Sequence, residues 1–167
     1  MKYFVLLSIV ALLMGCSTDN IMQPQTVDTI SGQQKNNQRA KVPFKGIYRT
    51  KATLGQTMIT NTGEGRATHL GKSTITAIHT YPNPNFNGTV EFVSASGAKL
   101  VGELNGTSQP PDANGIARFS GDVVITGGTD RFANASGHLD VKGWVNFSTA
   151  DLSGRVKYRG HIQSLLL

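Results

Sequence analysis

The sequence predicts an all-β protein, an eight-stranded antiparallel β-barrel. Two observations set the class. From Val42 to Ile162 apolar and polar residues alternate at a period of two within each segment, the pattern of strands with one face turned inward. No stretch of the same region sustains the 3.6-residue apolar period of an amphipathic helix. A third observation selects closure. Eight such strands in one open sheet would leave the apolar face wet, so the sheet must fold into a sandwich or close, and closure also removes both edges. Glycines recur on the apolar face of most strands, where they relieve crowding inside a small barrel and let strands coil sharply.

The chain of 167 residues opens with Met1-Lys2 and an apolar run from Tyr3 to Met14 broken only by Ser8. That run is shorter than the roughly 20 residues a helix needs to span a bilayer, and its layout is that of a secretory signal. It ends in Leu13-Met14-Gly15-Cys16, which resembles the bacterial lipobox. The resemblance implies cleavage before Cys16, acylation of its thiol and attachment to a lipid bilayer. Residues 1–15 are therefore expected to be a lipoprotein signal peptide. Cys16 is the single cysteine of the chain, so an internal disulfide is excluded. Ser17 follows it, and in proteobacteria the absence of aspartate there favours the outer over the inner membrane. The expected location is the bacterial cell envelope. Residues 16–41 then read as the lipidated cysteine and a flexible linker. They are rich in Gln and Asn, lack aromatic residues, and cannot bury enough apolar area to offset their ordering entropy.

Residues 42–162 form the predicted barrel, and residues 163–167 a short tail. The first strand places Val42, Phe44, Gly46 and Tyr48 inward, with Lys45, Arg49 and Lys51 outward. A second strand starts near Gln56 and runs through Gly63, Gly65 and Ala67 towards His69, whose alternation turns it inward. The third covers Ser73 to Tyr81. The turn Pro82-Asn83-Pro84-Asn85 follows, since proline fixes φ and asparagine suits turn geometry. The fourth turns Phe86, Gly88, Val90 and Phe92 inward, and the fifth Leu100, Gly102 and Leu104. After a loop at 108–115, the sixth turns Ala117, Phe119, Gly121, Val123 and Ile125 inward. The seventh does the same with Leu139, Val141, Gly143, Val145 and Phe147, and the eighth with Leu152, Gly154, Val156, Tyr158, Gly160 and Ile162.

Between the sixth and seventh strands lies Gly127-Gly128-Thr129-Asp130-Arg131-Phe132, with Ala135 and Gly137 beyond. This is similar to the Gly-Gly-Thr-Gly-x-Phe-x-x-Ala-x-Gly signature of dirigent proteins and the allene oxide cyclase barrel-like family. Gly63, Gly65 and the run Ala67-Thr68-His69-Leu70-Gly71 resemble a second motif of bacterial members. The resemblance implies an eight-stranded barrel of calycin type. Asp130 stands where the family has glycine; aspartate tolerates a left-handed turn better than most residues. Phe132 and Ala135 are expected to plug one barrel end. The family's plant members cyclise a fatty-acid epoxide or steer phenoxy-radical coupling. A shared fold alone does not carry either activity over.

Candidate chemistry is sparse. His69, His79, His138 and His161 lack the i, i+2 or i, i+4 spacing of metal ligands, so no metal or cofactor is expected. No nucleophile elbow, phosphate loop or inward carboxylate pair is present, so no catalytic residue is assigned. The polar groups expected in the barrel interior are Tyr48, His69, His79, Tyr81 and Tyr158. Three functions remain open. The first is an anchored, non-catalytic binding module for a small apolar ligand in or at the mouth of the barrel. The second is a structural or envelope-interaction protein whose barrel its own side chains fill. A cyclase or isomerase is the least supported.

The formal net charge is +6, without the clustered cations and interleaved aromatics of a nucleic-acid groove, and no nucleic-acid partner is expected. Barrel closure would pair the first strand with the eighth. It would set Lys45, Arg49 and Lys51 beside Arg155, Lys157 and Arg159 as a basic patch facing anionic lipid or polysaccharide.

Overall fold

The computed structural model describes residues 40–81 and 84–164. The expected leader, Cys16 and nearly all of the linker lie outside the described residues, as do 165–167. The strands are β1 (Lys41–Leu54), β2 (Met58–Ala67), β3 (Gly71–Thr80), β4 (Asn85–Ser94), β5 (Lys99–Ser108), β6 (Ile116–Gly128), β7 (Ser136–Asn146) and β8 (Gly154–Gln163). They form one closed barrel in sequence order, every neighbouring pair antiparallel. Closure is made by β1 and β8 from Lys41↔Gln163 to Thr50↔Gly154. All eight strands lie between Lys41 and Gln163, so the closed sheet draws no strand from the residues that precede them.

The alternation decides which face is inside. Phe44, Tyr48, Phe92, Leu100, Val123, Leu139 and Ile162 are all fully buried. Their neighbours Lys45, Arg49, Lys99, Asp122, Asp140 and His161 are exposed. Membrane-spanning barrels have the reverse arrangement, an apolar band outside and a polar lumen. The described domain is therefore built with water outside. Where two inward aromatics would collide with the wall, glycine stands opposite. A Cβ on Gly65 would lie 2.7 Å from the Tyr48 ring and strike the Ile47 carbonyl oxygen. One on Gly143 would run into the Phe119 ring.

The two ends of the barrel are closed differently. At the end where β1 starts and β8 stops, the Gly127–Gly137 stretch folds over the opening. Asp130 takes a left-handed φ of 52° at the first position of a short 3-10 turn, Asp130–Phe132. That turn drops Phe132 into the barrel at 0% exposure, against Leu70, Ala98 and Ala135, each below 5%. Arg131 fastens it: one guanidinium nitrogen donates to the His69 carbonyl at 2.6 Å, and the group lies 5.1 Å from the Phe132 ring centre. Ser164 donates its hydroxyl to the Arg131 carbonyl.

His69 is not in the barrel interior. Strand β2 ends at Ala67, and Thr68 and His69 belong to the turn into β3. His69 adopts φ of 64°, a left-handed conformation in which histidine is enriched, so the strand alternation no longer governs its direction. Its Nε2–H donates to the Pro43 carbonyl at 3.1 Å, tying the turn to the first strand at the plugged end. Leu152 also falls outside its expected strand: β8 starts at Gly154, and Leu152 lies in the preceding connection at a left-handed φ of 46°.

Candidate binding cavity

Behind the plug the barrel is filled. Phe92 stands at the centre, with ring centres 5.7 Å from Phe44, 5.8 Å from Tyr48 and 5.0 Å from Tyr158. Edge-to-face contacts of this kind add stabilisation beyond area burial. Tyr48 donates its hydroxyl to Ser73 Oγ at 2.9 Å, and Ser73 in turn donates to the Gly71 carbonyl. Burial raises the Tyr48 pKa despite that bond, which fixes the group as a neutral donor.

Beyond Tyr158 the interior opens into a cavity of about 490 Å³ that reaches the opposite end. Its wall is apolar: Ile75, Ala77, Leu104, Val141 and Val156 come from β3, β5, β7 and β8, with Phe86 and Phe119 meeting edge to face at 6.2 Å. Tyr81, Pro84, Pro110, Pro111 and Phe147, from the connections between strands, form the mouth. None of the described lining residues is Lys, Arg, Asp or Glu. A charged ligand group inside would find no counter-ion, and an uncompensated buried charge costs several kcal/mol or more.

Besides Thr50, Thr80, Ser108 and Gln109, polar groups sit at two places in this wall. Tyr158 forms the floor; it borders the cavity while its ring packs on Phe92 and lies 6.1 Å from Tyr48. The residue is 2% exposed, and its hydroxyl has no hydrogen-bond partner among the described residues. Among the described residues no buried side-chain oxygen or nitrogen is sealed off unsatisfied, so this hydroxyl opens into the cavity. Burial, and secondarily the Tyr48 phenol, push its pKa far above the ordinary tyrosine value. It is a permanent neutral donor.

The second place is His79 with Asn61 on the adjoining strand. His79 Nδ1 lies 3.1 Å from the Thr80 carbonyl, which can only accept, so the ring proton is on Nδ1. Nε2 then accepts from the Asn61 side-chain amide at 3.0 Å. Burial lowers the His79 pKa, more than the Thr80 bond raises it, and keeps the imidazole neutral. Both ring nitrogens are engaged, which leaves the Asn61 carbonyl oxygen as the free acceptor of this pair.

The structure thus gathers His79, Tyr81 and Tyr158 at one cavity, leaves Tyr48 in the filled part beneath it, and removes His69 to the plugged end. Asn61 was not legible as a site residue. The run Gln56 to Thr62 has no clear apolar face, and only the buried Ile59 and Ala67, sharing its parity, mark Asn61 as inward.

On the outer wall, Asp122 and Asp140 face each other across β6 and β7, with His138 Nε2 3.1 Å from Asp122. Their ligand atoms lie within 4.8 Å of one another, and all three residues are exposed. No family model, curated protein or solved structure matches the chain.

Proposed function

We propose that this is an envelope lipoprotein, anchored through acylated Cys16, whose barrel is a non-catalytic binding module for a small, uncharged, largely apolar ligand. The cavity carries this reading. Its volume lies within the roughly 300–1,000 Å³ of small-molecule sites, and such sites combine an apolar wall with a few placed polar groups. The Tyr158 hydroxyl at the floor would donate to a carbonyl, ether or hydroxyl oxygen of the ligand, and Asn61 would accept from a hydroxyl on its flank. Catalysis would need a group that changes charge or attacks. The inward side offers a neutral imidazole with both nitrogens hydrogen-bonded and, in Tyr48 and Tyr158, phenols held protonated by burial, which suit recognition.

Native mass spectrometry of protein purified from its own host tests the binding role. A co-purifying neutral species, lost in Ala77→Phe, is the expected result. Protein consistently free of ligand, together with failure to take up any apolar fluorescent probe, would refute it. The anchor is tested separately by fractionating cells that express Cys16→Ser, which should leave the membrane pellet.

A further inference from the structure

We propose that the outer face of β7, β8, β1 and β2 docks on the surface of an anionic lipid bilayer, with Trp144 and Ile47 entering the headgroup layer. The face is assembled by closure. Lys45 pairs with Arg159 and Arg49 with Arg155 across β1 and β8. The flanking strands extend it: in one register row stand Lys142, Lys157, Ile47 and Arg66. In the next stand Trp144, Arg155, Arg49 and Glu64. All the cations named are exposed. Like charges on paired strands oppose folding. Glu64 stands opposite Arg49 and Asp140 opposite Arg159, whereas Lys45, Arg66, Lys142, Arg155 and Lys157 have no carboxylate opposite them among the described residues, and Lys51 has its own partner in Asp151 at 3.1 Å.

The opposite side of the barrel differs. Its outer face carries Glu91, Glu103 and Asp122, and its Lys99 is already bonded to Glu91 at 3.1 Å. The basic excess of the domain is therefore one-sided, the arrangement that orients a protein towards a negative surface. Charge alone would suit any polyanion. The apolar residues favour a bilayer: Ile47 is 45% exposed in the middle of a cationic row, and Trp144 is 38% exposed beside Arg155. An indole on a basic rim matches the headgroup zone, where tryptophan is enriched. The proposal is independent of what the cavity holds.

Trp144 is the single tryptophan of the chain and reports on its own burial. The test uses residues 17–167, which keep all eight strands and lack the anchor. Protein is mixed with vesicles of phosphatidylcholine, with and without phosphatidylglycerol, at low and high salt. Expected are co-sedimentation with the anionic vesicles only, loss at high salt and a blue shift of Trp144 emission. Each outward cation on this face changed to glutamine should weaken partitioning about fivefold. The triple variant Arg49→Gln, Arg155→Gln, Lys157→Gln should lose on the order of 100-fold. Lys99→Gln, on the other side, should change nothing, and thermal unfolding should show all variants folded. Absence of binding at low salt would overturn the proposal, as would equal effects of Lys99→Gln and Lys157→Gln. Binding without a Trp144 shift, matched by binding to dextran sulfate, would replace the bilayer with a polysaccharide.

Discussion

The two ends of this barrel are built from the same strands and differ in what fills them. At the plugged end, large rings interlock around Phe92, Tyr48 donates to Ser73, and Arg131 donates to the His69 carbonyl. At the open end Phe86 and Phe119 stand in the wall with the smaller Ala77, Val141, Val145 and Val156 around a cavity, and the Tyr158 hydroxyl faces it without a protein partner among the described residues. The contrast is a division of labour within one sheet. One half supplies packing energy, and the other gives some up to keep space and unspent hydrogen-bonding capacity. Binding sites commonly break the rules of a well-packed core in this way.

The largest test of the contrast is a buried charge at the plugged end. Leu139→Asp places an unpaired carboxylate where exposure is 0% and should prevent folding, read as loss of the cooperative thermal transition. Truncations come next. Phe92→Ala should cost about 3–5 kcal/mol in urea unfolding, because the surrounding rings cannot collapse into the space. Phe119→Ala, at the half-buried cavity wall, should cost clearly less, because its ring already borders open volume. Equal costs would mean that the open end is as tightly packed as the other.

The two tyrosines sharpen the comparison further. Tyr48→Phe removes a buried hydrogen bond and should destabilise by about 1 kcal/mol. Tyr158→Phe breaks no protein hydrogen bond, so stability should hold or rise slightly while ligand affinity falls. Titration calorimetry with the co-purified ligand would read the second effect.

The smallest expected effect is a pH dependence at the open end. His79 has a folded pKa below its ordinary 6.5, so below pH 6.5 the unfolded chain binds a proton that the fold resists. Stability from this group is full above that pH and declines as pH falls towards the depressed value. Denaturation midpoints measured across this window should fall less steeply in His79→Gln than in the wild type.

The sequence by itself determined the strands, their inward faces and the closing pair. Those follow from a period of two and from the need to bury one face, both of which are local or topological. The left-handed turn at Asp130, φ 52°, is implied by the resemblance, which has glycine at that position, and by the tolerance of aspartate for it. Only the tertiary structure decided which inward positions meet and which stand apart. Tyr48 and Tyr158 read alike in the sequence, as inward aromatics on clean alternating strands. Yet one finds Ser73 on the third strand and the other finds open space. His69 was misplaced for a related reason: alternation predicts direction only while the strand lasts, and β2 ends at Ala67. The stagger of eight strands around the barrel sets which rings share a layer. That stagger arises from closure of the whole sheet, so no single segment of the chain carries it.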